Sequence, residues 1–383
     1  MIRISSAFDS GNITVLDAAR ADDIRLAINR DSQSHFFQWF HFRVTGARDC
    51  ECVMRIVNAG EAGFPRGWED YRAVASIDRK TWARVPTEYR EGVLTIRHRP
   101  ATDAVHYAYF APYSLERHDD LVARCQASEG VRLLVPGTSA QGRPIDVLRF
   151  GEPGDGVVPV WVIARQHPGE TMAEWFMEGL LDRLLDCGDK AAAALRGAVV
   201  LYAVPNMNPD GSVLGNLRVN WRGANLNREW EDPSPDRSPE VHHVRELMHR
   251  TGVDLCLDVH GDEGLPYAFI VGLDGIAEAS AAQRELVSGF RDGLARLNPD
   301  FQTRHGYPVA RPGQGNTTTC TGYLGKYLGA ASMTLEMPFK DAANAPDAVY
   351  GWSPERSSAL GRSTVEALLM VLPDLQALRR KGS

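Results

Sequence analysis

A histidine and a carboxylate three residues apart, in His167-Pro168-Gly169-Glu170, follow shortly after an apolar run that ends at Ala164. Imidazole nitrogen with carboxylate oxygen is a sensible pair of zinc ligands, and Pro-Gly between them favours a turn that brings both side chains toward one point. The tetrapeptide alone also fits a surface histidine beside a glutamate that opens a helix. His260 shifts the balance, because Asp254-Leu255-Cys256-Leu257-Asp258-Val259-His260-Gly261 again ends an apolar run with a histidine. Two neutral imidazoles and one carboxylate leave an open fourth position, the arrangement of catalytic rather than structural zinc.

Hydrolysis at such a metal needs a base. Glu336 is the one carboxylate of the apolar stretch Met333-Thr334-Leu335-Glu336-Met337-Pro338-Phe339. Burying it without a partner is costly. It reads either as half of an ion pair with a helix or as a base facing the metal, and the second accounts better for the cost. Arg218 follows the turn-rich Asn208-Pro209-Asp210-Gly211, and Asn227-Arg228 closes Gly223-Ala224-Asn225-Leu226-Asn227-Arg228. A guanidinium grips a carboxylate bidentately or stabilises an oxyanion, although an arginine taken singly is more often a solvated charge.

The elements that must position these groups fall into two parts. Up to about Pro112, runs such as Phe36-Phe37-Gln38-Trp39-Phe40-His41-Phe42 and Gly92-Val93-Leu94-Thr95-Ile96 predict antiparallel strands of a small sandwich. Ser114 then caps a helix running toward Cys125. Beyond it, apolar runs at 145–150, 157–164, 198–204, 253–259, 267–271 and 332–337 alternate with helical stretches at 171–185, 238–249 and 279–297, the pattern of an α/β sheet. Thr171 and Glu174 are spaced as a capping box. The expected division is residues 1–112 and 113–383.

A chain of 383 residues, 44% hydrophobic and 24% charged, buries a real core and carries no sign of disorder. Its formal charge of −7 speaks against a nucleic-acid partner or an anionic membrane. No run is long and apolar enough to span a bilayer, and the first residues lack the pattern of a signal peptide, so the cytoplasm is the expected location. The six cysteines are scattered, with Cys50 and Cys52 too close for the usual zinc or redox spacing, and they read as reduced thiols. Cys256, inside an apolar run, reads as buried and inert rather than as a ligand.

Together these segments resemble the zinc metallocarboxypeptidases, and within them the cytosolic carboxypeptidase branch. His167-x-x-Glu170, Asn208-Pro209-Asp210-Gly211, Arg218, Asn227-Arg228, His260 and Thr334-Leu335-Glu336 occur in that family's order, and the match covers nearly the whole chain. The resemblance implies a mixed twisted sheet flanked by helices, preceded by a small antiparallel β-sandwich. It implies one zinc ion held by His167, Glu170 and His260, Glu336 as general base, and Arg218 polarising the scissile carbonyl. Asn227 and Arg228 would then hold the C-terminal carboxylate of a peptide or protein substrate.

Two departures stand out. Asn225 occupies the place where the family carries an aspartate that orients a zinc-bound histidine. In the specificity segment, Cys320-Thr321-Gly322-Tyr323-Leu324-Gly325-Lys326 aligns loosely with the basic positions of members that remove glutamate. Tyr323 and Lys326, or Arg311 upstream, are the candidates for reading an acidic C-terminal residue. Two other functions fit the same residues: deacylation of N-acyl amino acids, and an inert module that binds through its sandwich. The presence of every chemical group argues against the inert module.

Overall fold

The aromatic and β-branched runs before Pro112 form two five-stranded sheets in the computed structural model, which describes residues 2–382. In one, Arg3–Ser5, His41–Thr45, Ala104–Ala108, Val74–Ser76 and Ala83–Arg84 lie in that spatial order. The other runs Thr14–Asp17, Ile24–Ala27, Cys52–Ile56, Val93–His98, Thr87–Arg90. Alternation along the strands turns Phe42, Val44, Leu94 and Ile96 into a common core with Leu26, Met54 and Tyr107. The expected antiparallel pairing has one exception: Ile24–Ala27 runs parallel to Cys52–Ile56. The intervening chain passes through the other sheet as His41–Thr45 before returning, and such a crossover permits parallel pairing.

The second part is a seven-stranded mixed sheet in the order Val131–Leu134, Val147–Phe150, Val199–Val204, Val158–Ala164, Leu255–Asp262, Ala331–Pro338, Phe269–Val271. Its four central neighbours, from Val199–Val204 to Ala331–Pro338, are parallel and every residue in them is buried. Helices cover both faces, which is why these strands read as continuous apolar runs rather than alternating ones. Met172–Leu185, Ala281–Leu297 and Pro354–Gly382 pack into one core, while Pro239–Thr251 and Cys320–Tyr327 pack into another. Among the described residues no helix is long and apolar enough to cross a membrane.

Helix starts follow the expectation at Ser114, whose hydroxyl oxygen accepts the Arg117 N–H at 3.2 Å. The capping box expected at Thr171 and Glu174 does not form. Thr171 donates instead to the Ala111 carbonyl at 2.8 Å, and Glu174 receives the Arg165 guanidinium at 2.6 Å and the His118 ring at 2.6 Å. Arg165 is 1% exposed, and a charge so buried needs a counter-ion more than a helix end needs a second cap.

Candidate metal centre

The carboxyl ends of the parallel strands carry the chemistry, as is usual in α/β sheets. His167 lies three residues past Val158–Ala164, while His260 and Glu336 sit side by side in register near the ends of Leu255–Asp262 and Ala331–Pro338. Glu170 joins the two histidines: its Oε1 is 2.7 Å from His167 Nδ1 and its Oε2 is 2.8 Å from His260 Nδ1. The two Nδ1 atoms are 3.2 Å apart, and the three ligand atoms all fall within 4.8 Å of one another.

Each imidazole is fixed through its other nitrogen. His167 Nε2 is 3.0 Å from Asn225 Oδ1, and His260 Nε2 is 3.0 Å from Asp258 Oδ2. Both rings therefore carry their proton outward and turn Nδ1 inward, the tautomer a metal requires. Burial pushes His167 down to about 4 despite the neighbouring Glu170, leaving it neutral. Burial opposes charge on His260 as well, but Asp258 and Glu170 outweigh it and raise this ring well above its ordinary value. Zinc would take the place of the proton that His260 holds on Nδ1 toward Glu170, and with two imidazole Nδ1 atoms and one carboxylate converging, these residues fit zinc.

The loop bearing the ligands is built for close approach. A Cβ on Gly169 would lie 3.0 Å from both Cα and O of Leu217, whose carbonyl accepts the Gly169 N–H at 2.9 Å. Arg165 adopts φ 59° and donates from Nε to the Pro168 carbonyl at 2.9 Å, so its buried ion pair with Glu174 also braces the turn.

Two cavities meet at this centre. One, of about 560 Å³, is lined by His167, Glu170, His260, Arg218, Arg228 and Glu336. The other, of about 540 Å³, extends from Asn227, Arg228 and Glu336 past Thr334 and Thr321 to the loop 302–316. Glu336 lines both, and its Oε2 is buried without a hydrogen-bond partner. Burial pushes its carboxyl well above the ordinary range, with His260 opposing and Glu170, Asp262 and Glu263 adding repulsion. Burial and the nearby Arg218 charge lower Arg228, so two cations share one concave space, an arrangement that favours an anion. The Asn227 side chain lies 3.2 Å from His260 Nε2 and accepts the Cys320 N–H at 3.0 Å.

Lys326 and Tyr323 fall elsewhere. Lys326 Nζ pairs with Glu278 at 3.5 Å and lies over the Tyr327 ring, and Tyr323 Oη is 2.9 Å from His249 Nε2. Neither lines either cavity, and neither does Arg311. Thr321 faces the cavity from the start of this helix, and five residues on, the helix has turned Lys326 about 140° away. The cavity's basic residues are Arg228, Arg291, Arg304 and His305.

Sequence reasoning missed Asp258, although its place two residues before His260 in a strand puts both on one face. It also missed Tyr307, whose hydroxyl donates to Asp262 and which lines both cavities from an irregular loop.

Two family profiles match the chain: a cytosolic carboxypeptidase N-terminal domain over residues 4–110 and a zinc carboxypeptidase domain over residues 120–274. A metallo-carboxypeptidase from Pseudomonas aeruginosa, solved in complex with (2-guanidinoethylmercapto)succinic acid, is 46% identical, with a TM-score of 0.95 over 97% of this chain and 100% of its own. A metallo-carboxypeptidase from Burkholderia cenocepacia is 45% identical, with the same TM-score of 0.95 over 97% of this chain and 100% of its own. Human cytosolic carboxypeptidase 6 is 27% identical over 95% of this chain and 77% of its own length.

Proposed function

Because the chain belongs to the zinc carboxypeptidase family, in the branch carrying a cytosolic carboxypeptidase N-terminal domain, we propose that it hydrolyses the last peptide bond of peptides or proteins through Glu336. The observation that carries this reading is the unpartnered Glu336 Oε2 beside the His167, Glu170 and His260 cluster. A buried carboxylate without a partner is destabilising unless a substrate or water supplies one.

His167, Glu170 and His260 would hold zinc, which when bound would supply a Lewis acid that acidifies water and polarises a carbonyl oxygen. Glu336 takes a proton from the attacking water as its oxygen bonds to the scissile carbonyl carbon. It then passes that proton to the leaving nitrogen as the C–N bond breaks. Arg218 donates hydrogen bonds to the carbonyl oxygen as negative charge develops on it. Arg228, with Asn227 beside it, holds the substrate's terminal carboxylate, which limits cleavage to the final residue.

The second cavity takes the departing side chain. An acidic residue such as glutamate suits it, with Arg291 and Arg304 rather than Lys326 as the reading cations. Among the described residues Arg304 has no ion-pair partner, while Arg291 pairs loosely with its neighbour Asp292 at 3.7 Å and keeps a buried Nε without a hydrogen bond. A division near residue 112 into a sandwich and a catalytic domain fits this reading, as does a cytoplasmic location, given unpaired cysteines and relatives named cytosolic carboxypeptidases.

Mass spectrometry of a peptide pool with varied C-termini, incubated with the zinc-loaded protein, tests the reaction. Stepwise loss of single C-terminal residues, fastest for glutamate, is expected. Intact peptides alongside cleavage of N-acyl amino acids would overturn it in favour of a deacylase.

A further inference from the structure

We propose that Asp31 is a positioning residue for Arg218, so that loops between the N-terminal strands build part of the reaction site. The inference rests on reading Arg218 as the group that faces the scissile carbonyl.

Residues 217–220 belong to no helix or strand, so their backbone N–H groups lack ladder partners. Asp31, 3% exposed, supplies the acceptor: Oδ1 takes the Leu217 N–H at 2.7 Å, and Oδ2 takes the Arg218 N–H at 2.7 Å and the Val219 N–H at 3.3 Å. Three successive amides aimed at one carboxylate form an anion nest, and a nest fixes the backbone that makes it. Burial pushes this carboxyl up to about 6 against the pull of those amides, so the ionised form still prevails at neutral pH. The Leu217 carbonyl in turn accepts the Gly169 N–H, which ties Asp31 to the loop carrying His167 and Glu170.

The far end of Arg218 is held from the same side of the molecule. Its guanidinium carbon lies 5.6 Å from the centroid of Phe36 and 5.1 Å from that of Phe64, two rings within 16° of parallel. Asp31 N–H donates to the Phe36 carbonyl at 2.8 Å, so the carboxylate and one ring share a closed turn. Among the described residues the guanidinium makes no hydrogen bond or ion pair, and stacking on aromatic faces orients a cation without consuming its N–H donors. Arg218 is thus held at its backbone and against two ring faces, with its donors left for the substrate oxygen.

Asp31→Asn keeps the shape but puts an amide N–H against backbone N–H groups. The experiment measures kcat, KM and zinc content for Asp31→Asn, Arg218→Ala and the double variant on one peptide substrate. Expected are a roughly 10- to 100-fold fall in kcat for Asp31→Asn with KM and zinc unchanged, and no further fall when it is added to Arg218→Ala. Equal losses on both backgrounds, or no loss on the wild-type background, would overturn the proposal. If Asp31→Asn does not fold or does not hold zinc, Phe64→Leu decides by the same comparison: Phe64 also lines the reaction cavity, so the deciding result is whether its fall in kcat disappears on the Arg218→Ala background. An unchanged kcat for Arg218→Ala would instead sink the reading of Arg218, and this inference with it.

Discussion

At the metal centre, Glu170 and both histidines stand on or just after parallel strands, and each ring nitrogen turned away from the ligand cluster meets a named acceptor. The cavity beside it is walled by the irregular loop 302–316 and the first turn of Cys320–Tyr327, with Arg304 and His305 exposed to solvent. The same sheet supports both, but one region is over-determined and the other is held lightly. Chemistry requires fixed donors in a dry site, whereas selection among side chains tolerates mobile polar groups at a rim.

If the centre is over-determined, changes to its supporting groups should be felt in metal affinity. Asp258→Ala leaves His260 Nε2 without its carboxylate and should weaken zinc binding about 10- to 100-fold, measured by competition with a chelator. Unchanged affinity would mean that Asp258 does not orient the ring. On the lightly held side, Arg304→Ala should lower the preference for C-terminal glutamate by about tenfold in kcat/KM, while Lys326→Ala, on its exposed pair with Glu278, should leave it alone. The reverse pattern would return specificity to the helix that faces away.

A smaller effect concerns the bracing behind the centre. Burial opposes charge on His118, but Asp146 and Glu174 outweigh it and push the ring up to about 10. A histidine raised in the folded state stabilises fully below its unfolded value near 6.5, and that contribution disappears as pH rises through about 10. His118→Gln should therefore lower Tm by an amount on the order of a few degrees at pH 6, with the gap closing by pH 10. A gap independent of pH would show that packing, not charge, is what His118 contributes.

The strand-end residues were legible because each combined a polar type with the end of an apolar run, a contrast that one sequence displays. Asn225 was legible too: the amide oxygen that stands for the family's aspartate accepts the His167 ring. Tertiary demand hid other features. Glu174 had the spacing of a cap but answers to Arg165, a partner that helix rules do not see. Lys326 lay at a suggestive place in the sequence, yet five residues of helix rotated it off the cavity. Asp31 sits 186 residues before the amides it binds, and a backbone contact of that kind leaves no pattern in residue types. Tyr307 lies in a loop with no periodicity to place it.

In the proposed reaction Glu336 moves protons and does not hold the metal. The direct measurement is turnover and zinc content on the same preparation of Glu336→Gln. A fall of about two to four powers of ten in kcat with one zinc still bound per chain is predicted. Near-normal turnover, or loss of the metal together with activity, would contradict it.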